Sequence, residues 1–123
     1  MITTTYKGVQ VASPVSQITS DYTLGVTDSG SQIHNEGATG TVTFTLPPAT
    51  VGLSFDVANV AVLQKLILQA SGTDYFQAIQ WKSAAGGTTS FTTTTLNMAA
   101  YAKIQCFVAG VWHVVMNFGF VTP

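Results

Sequence analysis

Thr41-Val42-Thr43-Phe44-Thr45-Leu46 decides the fold class. Apolar and hydroxyl side chains alternate over all six positions. A period of two sets Val42, Phe44 and Leu46 on one face of a strand and the three threonines on the other. Threonine is β-branched and suits a strand with one wet face. Pro47-Pro48 then ends the strand, because neither residue can donate to a ladder. Leu53-Ser54-Phe55-Asp56-Val57 alternates again, with Leu53, Phe55 and Val57 as its apolar set and Asp56 on the polar face.

The same signals continue in both directions. Upstream, Ile18, Tyr22 and Leu24 flank Asp21 in a short β run, Asp28-Ser29-Gly30 is a turn, Gln32–Asn35 is a brief strand and Glu36–Gly40 is a second turn. Downstream, residues 60–70 are the one place where a helix competes, since Val60, Leu63 and Ile67 fit a helical spacing while Leu66 and Leu68 alternate. The turn-like Ser71-Gly72-Thr73-Asp74 that follows reads as a hairpin connection and favours a strand over 63–70. Residues 83–87 read as a loop and 88–95 as a threonine-rich strand. Ala99–Val108 and Val111–Phe118 form a closing pair around the tight turn Ala109-Gly110. Short strands at roughly 8–12-residue spacing are the pattern of a sandwich or barrel. The expected fold is therefore all-β, an antiparallel jelly-roll-like sandwich over residues 17–123, preceded by an extended N-terminal arm over residues 1–16. The length suits one compact domain, and no strict internal repeat is visible.

Composition narrows the function. Only 7% of the 123 residues are charged, four lysines and five acids with no arginine, against 46% hydrophobic residues. Typical soluble domains carry about 25% charged residues. Charge normally keeps a protein soluble and apart from its neighbours, so this chain reads as one that lives inside an assembly. Phosphate contacts need clustered Lys or Arg, and Lys7, Lys65, Lys82 and Lys103 are scattered, which argues against nucleic acid. No run approaches the ~20 apolar residues of a membrane-spanning helix. The start lacks the basic and apolar blocks of a signal peptide, so the expected product stays in a cytoplasm until assembly.

The candidate chemistry is thin. Cys106 is the only cysteine and lies in an apolar run, which favours a buried thiol over a nucleophile. Hydrolysis by carboxylates would need two acids across a substrate, and Asp28 with Glu36 could meet if the intervening strand folds back. Asp28 and Asp74 nevertheless sit beside Gly or Ser in turns, where a carboxylate caps backbone N–H groups. His34, His113 and Cys106 barely reach the ligand count of a zinc site and lack its spacing. Gly37-Ala38-Thr39-Gly40 lacks the lysine and strand-to-helix context of a phosphate loop. The expectation is no enzyme, no metal and no cofactor. Trp112 lies in a dense apolar strand and reads as core. Trp81, beside Lys82 at a loop edge, is the candidate for stacking on a sugar ring.

Thr19–Leu24, Thr27-Asp28-Ser29-Gly30, Ile33-His34-Asn35, Gly37–Gly40, Thr41–Pro47 and Gly52-Leu53-Ser54-Phe55 together resemble a β module of virion surface proteins of tailed bacteriophages. There a strand, a "DSG" turn, an "N-x-G" turn and a "TVTFTLP" strand precede a "G-L-x-F" strand. Ala102–Val115 is similar to that module's close, a strand, a small-residue turn and a Trp-containing strand. The chain departs from fibre proteins in having no shaft and few charges at its middle, which favours a short coat protein. The resemblance implies a homotrimer and carries over no catalytic residue. The expected role is a capsid decoration or cement protein located on the virion, contacting the major capsid protein or other virion proteins. Ile2, Tyr6, Val9 and Val11 of the arm are the candidates for gripping the capsid or a neighbouring subunit. The alternative is a carbohydrate-binding module of a phage fibre or tail that contacts a cell-surface glycan through Trp81.

Overall fold

A computed structural model describes residues 4–6, 9–12, 14–61, 63–78, 81–92 and 100–119. Among them are twelve strands, one 3₁₀ turn at Val26–Asp28 and no α-helix. A hairpin of β1 (Thr4–Tyr6) and β2 (Val9–Ala12) forms a small sheet of its own. The remaining strands are β3 (Val15–Gln17), β4 (Tyr22–Thr23), β5 (Gln32–His34), β6 (Val42–Thr45), β7 (Ser54–Asn59), β8 (Lys65–Gln69), β9 (Tyr75–Gln77), β10 (Thr88–Thr92), β11 (Ala100–Val108) and β12 (Val111–Phe118).

From β3 to β11 the chain changes sheet at every strand. Odd-numbered strands and β12 build a six-stranded sheet in the order β3-β5-β7-β11-β12-β9, and even-numbered strands build a four-stranded sheet in the order β10-β8-β6-β4. β3, β5 and β7 run parallel, as do β4, β6 and β8. This part is a two-layered coil. Ile33 lies opposite Val57 and Phe44 opposite Leu68, an offset of 24 residues in each sheet.

The chain is all-β and sandwich-like, but its sheets are mixed, which corrects the expected antiparallel jelly-roll order. Alternation shows which face of a strand is buried, and it is equally compatible with a parallel or an antiparallel neighbour. The turns expected at Asp28–Gly30, Glu36–Gly40 and Ser71–Asp74 are corners between layers. Asp74 N–H donates to the Ser71 carbonyl at 2.9 Å and closes the expected turn, yet that turn carries the chain from β8 in one sheet to β9 in the other. A parallel pair needs a long crossover, and here a strand of the opposite layer supplies it. Gly30 (φ 86°) and Gly37 (φ 84°) lie at two such corners, in the left-handed region that favours glycine. Antiparallel pairing holds for β7–β11, β8–β10 and the β11–β12 hairpin around Ala109-Gly110.

Between the layers lie Val42, Phe44, Leu46, Leu53, Phe55 and Val57, as the alternation predicts, with Leu66, Leu68, Phe76, Ile104 and Trp112. Residues 65–69 are strand rather than helix. The Phe55 and Trp112 rings meet at 5.7 Å between centroids and a 53° tilt. One polar pair sits in this apolar setting. Asn35 and Asn59, one coil apart at the same corner, are fully buried, and Asn35 Nδ2 donates to Asn59 Oδ1 at 2.9 Å. Asn35 Oδ1 accepts the Val60 and Ala61 backbone N–H groups at 2.8 and 3.2 Å, while Asn59 Nδ2 donates to the Gln64 carbonyl at 3.0 Å. The amides thus satisfy backbone groups that the corner takes away from water.

Candidate functional site

The outer face of the six-stranded sheet carries a concentration of unlike polar groups that the fold brings together from distant parts of the chain. With Ile33, Val57, Ala100 and Ala102 turned to the core, the alternate residues of β5, β7 and β11 face outward. Strand register then lines up Gln32, Asp56 and Lys103 in one cross-strand row and His34, Ala58 and Tyr101 in the next. A groove of about 340 Å³ lies over these rows, with Gln32, His34, Glu36, Asp56 and Tyr101 as its polar lining and Val15, Ala58 and Val60 as its apolar lining.

Burial, followed by the charge of the Asp56 carboxylate and a hydrogen bond to it, pushes the Tyr101 phenol above its ordinary range, so it stays protonated. His34 Nδ1 accepts the Glu36 backbone N–H at 3.1 Å. A neutral imidazole with Nδ1 as acceptor carries its proton on Nε2, which makes His34 a donor.

The acids singled out in turns cap backbone. Asp28 Oδ2 accepts the Gly25 N–H at 2.8 Å and the Tyr22 hydroxyl at 3.3 Å, and its charge, with smaller contributions from burial and that bond, raises the Tyr22 phenol. Asp74 Oδ2 accepts the Ala49 N–H at 2.8 Å, and Asp21 Oδ1 the Thr43 N–H at 2.9 Å. Asp28 is thereby engaged at its own turn, while Glu36 lines the groove beside Asp56.

Cys106 is buried, its thiol pushed up first by desolvation, with Sγ 3.2 Å from the Val108 carbonyl. His113 Nδ1 accepts the Phe107 N–H at 3.3 Å, and the two rings lie 5.2 Å apart. Among the described residues no three His, Cys, Asp or Glu side chains gather as a metal site would require. Trp112 is fully buried, and its Nε1 has no hydrogen-bond partner. Trp81 is half-buried and packs against the core, while the neighbouring Lys82 ammonium sits 4.4 Å from the Tyr75 ring centroid. Tyr6 lies in β1 and Val9 and Val11 in β2; Ile2 lies outside the described residues.

A second surface feature runs along the β11–β12 hairpin. Phe107, Val108, Val115, Met116 and Phe118 are each half or more exposed, and none of the charged side chains interrupts Val114–Phe118. Phe118 pairs with Tyr101, so this apolar strip adjoins the groove.

The Asp56–Tyr101 pair leaves no local signal in the sequence, because nothing local aligns residues 45 positions apart. The coil did leave a trace: Ile33-His34-Asn35 with Val42-Thr43-Phe44 recurs at the 24-residue offset as Val57-Ala58-Asn59 with Leu66-Ile67-Leu68. No protein-family model matches the chain, and no curated protein matches it. No helix among the described residues is long and apolar enough to cross a membrane.

Proposed function

We propose that the chain is a structural protein of a tailed-phage virion, a homotrimeric decoration or cement protein that binds the major capsid protein or its neighbours in the particle. The observation that supports this reading is the apolar strip Phe107, Val108, Val115, Met116 and Phe118 on a chain with so few charges. Full burial of such a side chain stabilises by roughly 1.5–3 kcal/mol, so covering the exposed half of each is worth about 1 kcal/mol. An exposed ion pair contributes only ~0–1 kcal/mol. An assembly that stays together therefore loses little by lacking charges. The resemblance of residues 19–56 to virion surface modules points the same way. In this reading the N-terminal segment with Ile2, Tyr6, Val9 and Val11 contacts the capsid or a neighbouring subunit, and the work is mechanical, without catalysis or cofactor.

Mass spectrometry of purified virions tests the role. The protein is expected in mature particles, and added protein should rebind particles stripped of it. Deletion of residues 1–12 should abolish rebinding while the far-ultraviolet β signal persists. Absence from mature particles would overturn the reading.

A further inference from the structure

We propose that the groove over β5, β7 and β11 binds a neutral sugar ring. Its volume of about 340 Å³ lies in the range of small-ligand sites, which run from roughly 300 to 1,000 Å³. A sugar ring presents closely spaced hydroxyls, each both donor and acceptor, around an apolar C–H face. The groove offers a counterpart to each part. Asp56 uses one of its acceptor positions on the Tyr101 hydroxyl and retains others for sugar hydroxyls. Glu36 is a second acceptor, and His34 Nε2–H and the Gln32 amide are donors. Val15, Ala58 and Val60 supply apolar lining for the C–H face.

The charges sort the ligand class. An anion would meet two carboxylates, Glu36 and Asp56, against the single ammonium of Lys103, which stands across from Asp56 but is not among the lining residues. A cation would find Asp56 already bonded to Tyr101 and standing across from Lys103 in the β7–β11 register. An uncharged polyhydroxyl ring uses both the acceptors and the donors. Trp81, by contrast, packs its side chain on the core.

The test is a chemical-shift titration of the full-length ¹⁵N-labelled protein. The probes are methyl α-glucoside, methyl β-galactoside and N-acetylglucosamine, with free arginine and inorganic phosphate as charged competitors. At least one sugar should shift the amides of Gln32, His34, Ala58 and Tyr101. Asp56→Asn, with folding checked by melting, should weaken that binding by about tenfold, the usual effect of losing a hydrogen bond to a charged group, and Tyr101→Phe, which removes the hydroxyl that orients the Asp56 carboxylate, should weaken it by a smaller factor. Trp81→Ala should leave it unchanged. If Asp56→Asn does not fold, the wild-type shift map and Tyr101→Phe decide. The proposal is overturned if no sugar shifts these amides, if the shifts fall on residues 81–87, if the folded variants bind like the wild type, or if only arginine or phosphate binds.

Discussion

In the parallel coil of β3, β5 and β7, polar groups are buried and matched; along the antiparallel β11–β12 hairpin, apolar groups are exposed. Asn35 and Asn59 are removed from water, and their side chains bond each other and the backbone of neighbouring corners. Along the β11–β12 hairpin, Phe107, Val115, Met116 and Phe118 remain half in solvent. The difference separates two uses of a side chain. The asparagines serve the chain's own coil, and a change there should appear as lost stability. The hairpin side chains contribute little to the isolated fold, and a change there should appear as lost association.

The largest effect on stability is expected at Asn35. Asn35→Ala removes the side-chain hydrogen bonds to the Val60 and Ala61 N–H groups and to Asn59 Oδ1, and a buried partner lost without replacement costs ~1–3 kcal/mol. A total loss of about 3–5 kcal/mol should appear in urea unfolding. Asn59→Ala leaves the bonds to Val60 and Ala61 in place and should cost less, about 2–3 kcal/mol. Equal losses at the two sites would show that the corner is not held by Asn35 Oδ1.

An alkaline effect comes next. Tyr101 and Cys106 are both raised, chiefly by burial, above ordinary values of 10.0 and 9.0. Below those values both groups are protonated whether the chain is folded or not, and their contribution is constant. Above them the unfolded chain loses its protons first, so stability falls as pH rises through and beyond 9–10. Unfolding free energies measured between pH 7 and 11 should decline over this window. The Tyr101→Phe, Cys106→Ala double variant should decline less steeply.

How much of this was readable beforehand follows from what strand patterns encode. Val42, Phe44 and Leu46, Leu53, Phe55 and Val57, the strand at 65–69 and the hairpin around Ala109-Gly110 all follow from alternation and turn chemistry, which act within a few residues. Direction of pairing is not local. The turn at Ser71–Asp74 looks alike whether it returns the chain along β8 or carries it to the opposite sheet, so the parallel coil stayed hidden. The groove was hidden for the same reason, since Asp56 and Tyr101 meet only through the β7–β11 register. Asn35 read as the end of a strand. Its partner lies one coil further on, and only the 24-residue offset relates the two.

The smallest change in fold stability is expected on the hairpin. Phe118→Ser and Met116→Lys alter exposed side chains and should shift the unfolding free energy of the single chain by no more than about 0.5 kcal/mol. A loss comparable to that at Asn35 would erase the contrast between the two regions.

Sedimentation equilibrium of the purified protein tests the assembly reading most directly. The wild type should sediment as a three-chain species at micromolar concentration, and the Phe118→Ser, Met116→Lys double variant as single chains with an unchanged β spectrum. A wild type that stays a stable single chain across that range would contradict the account.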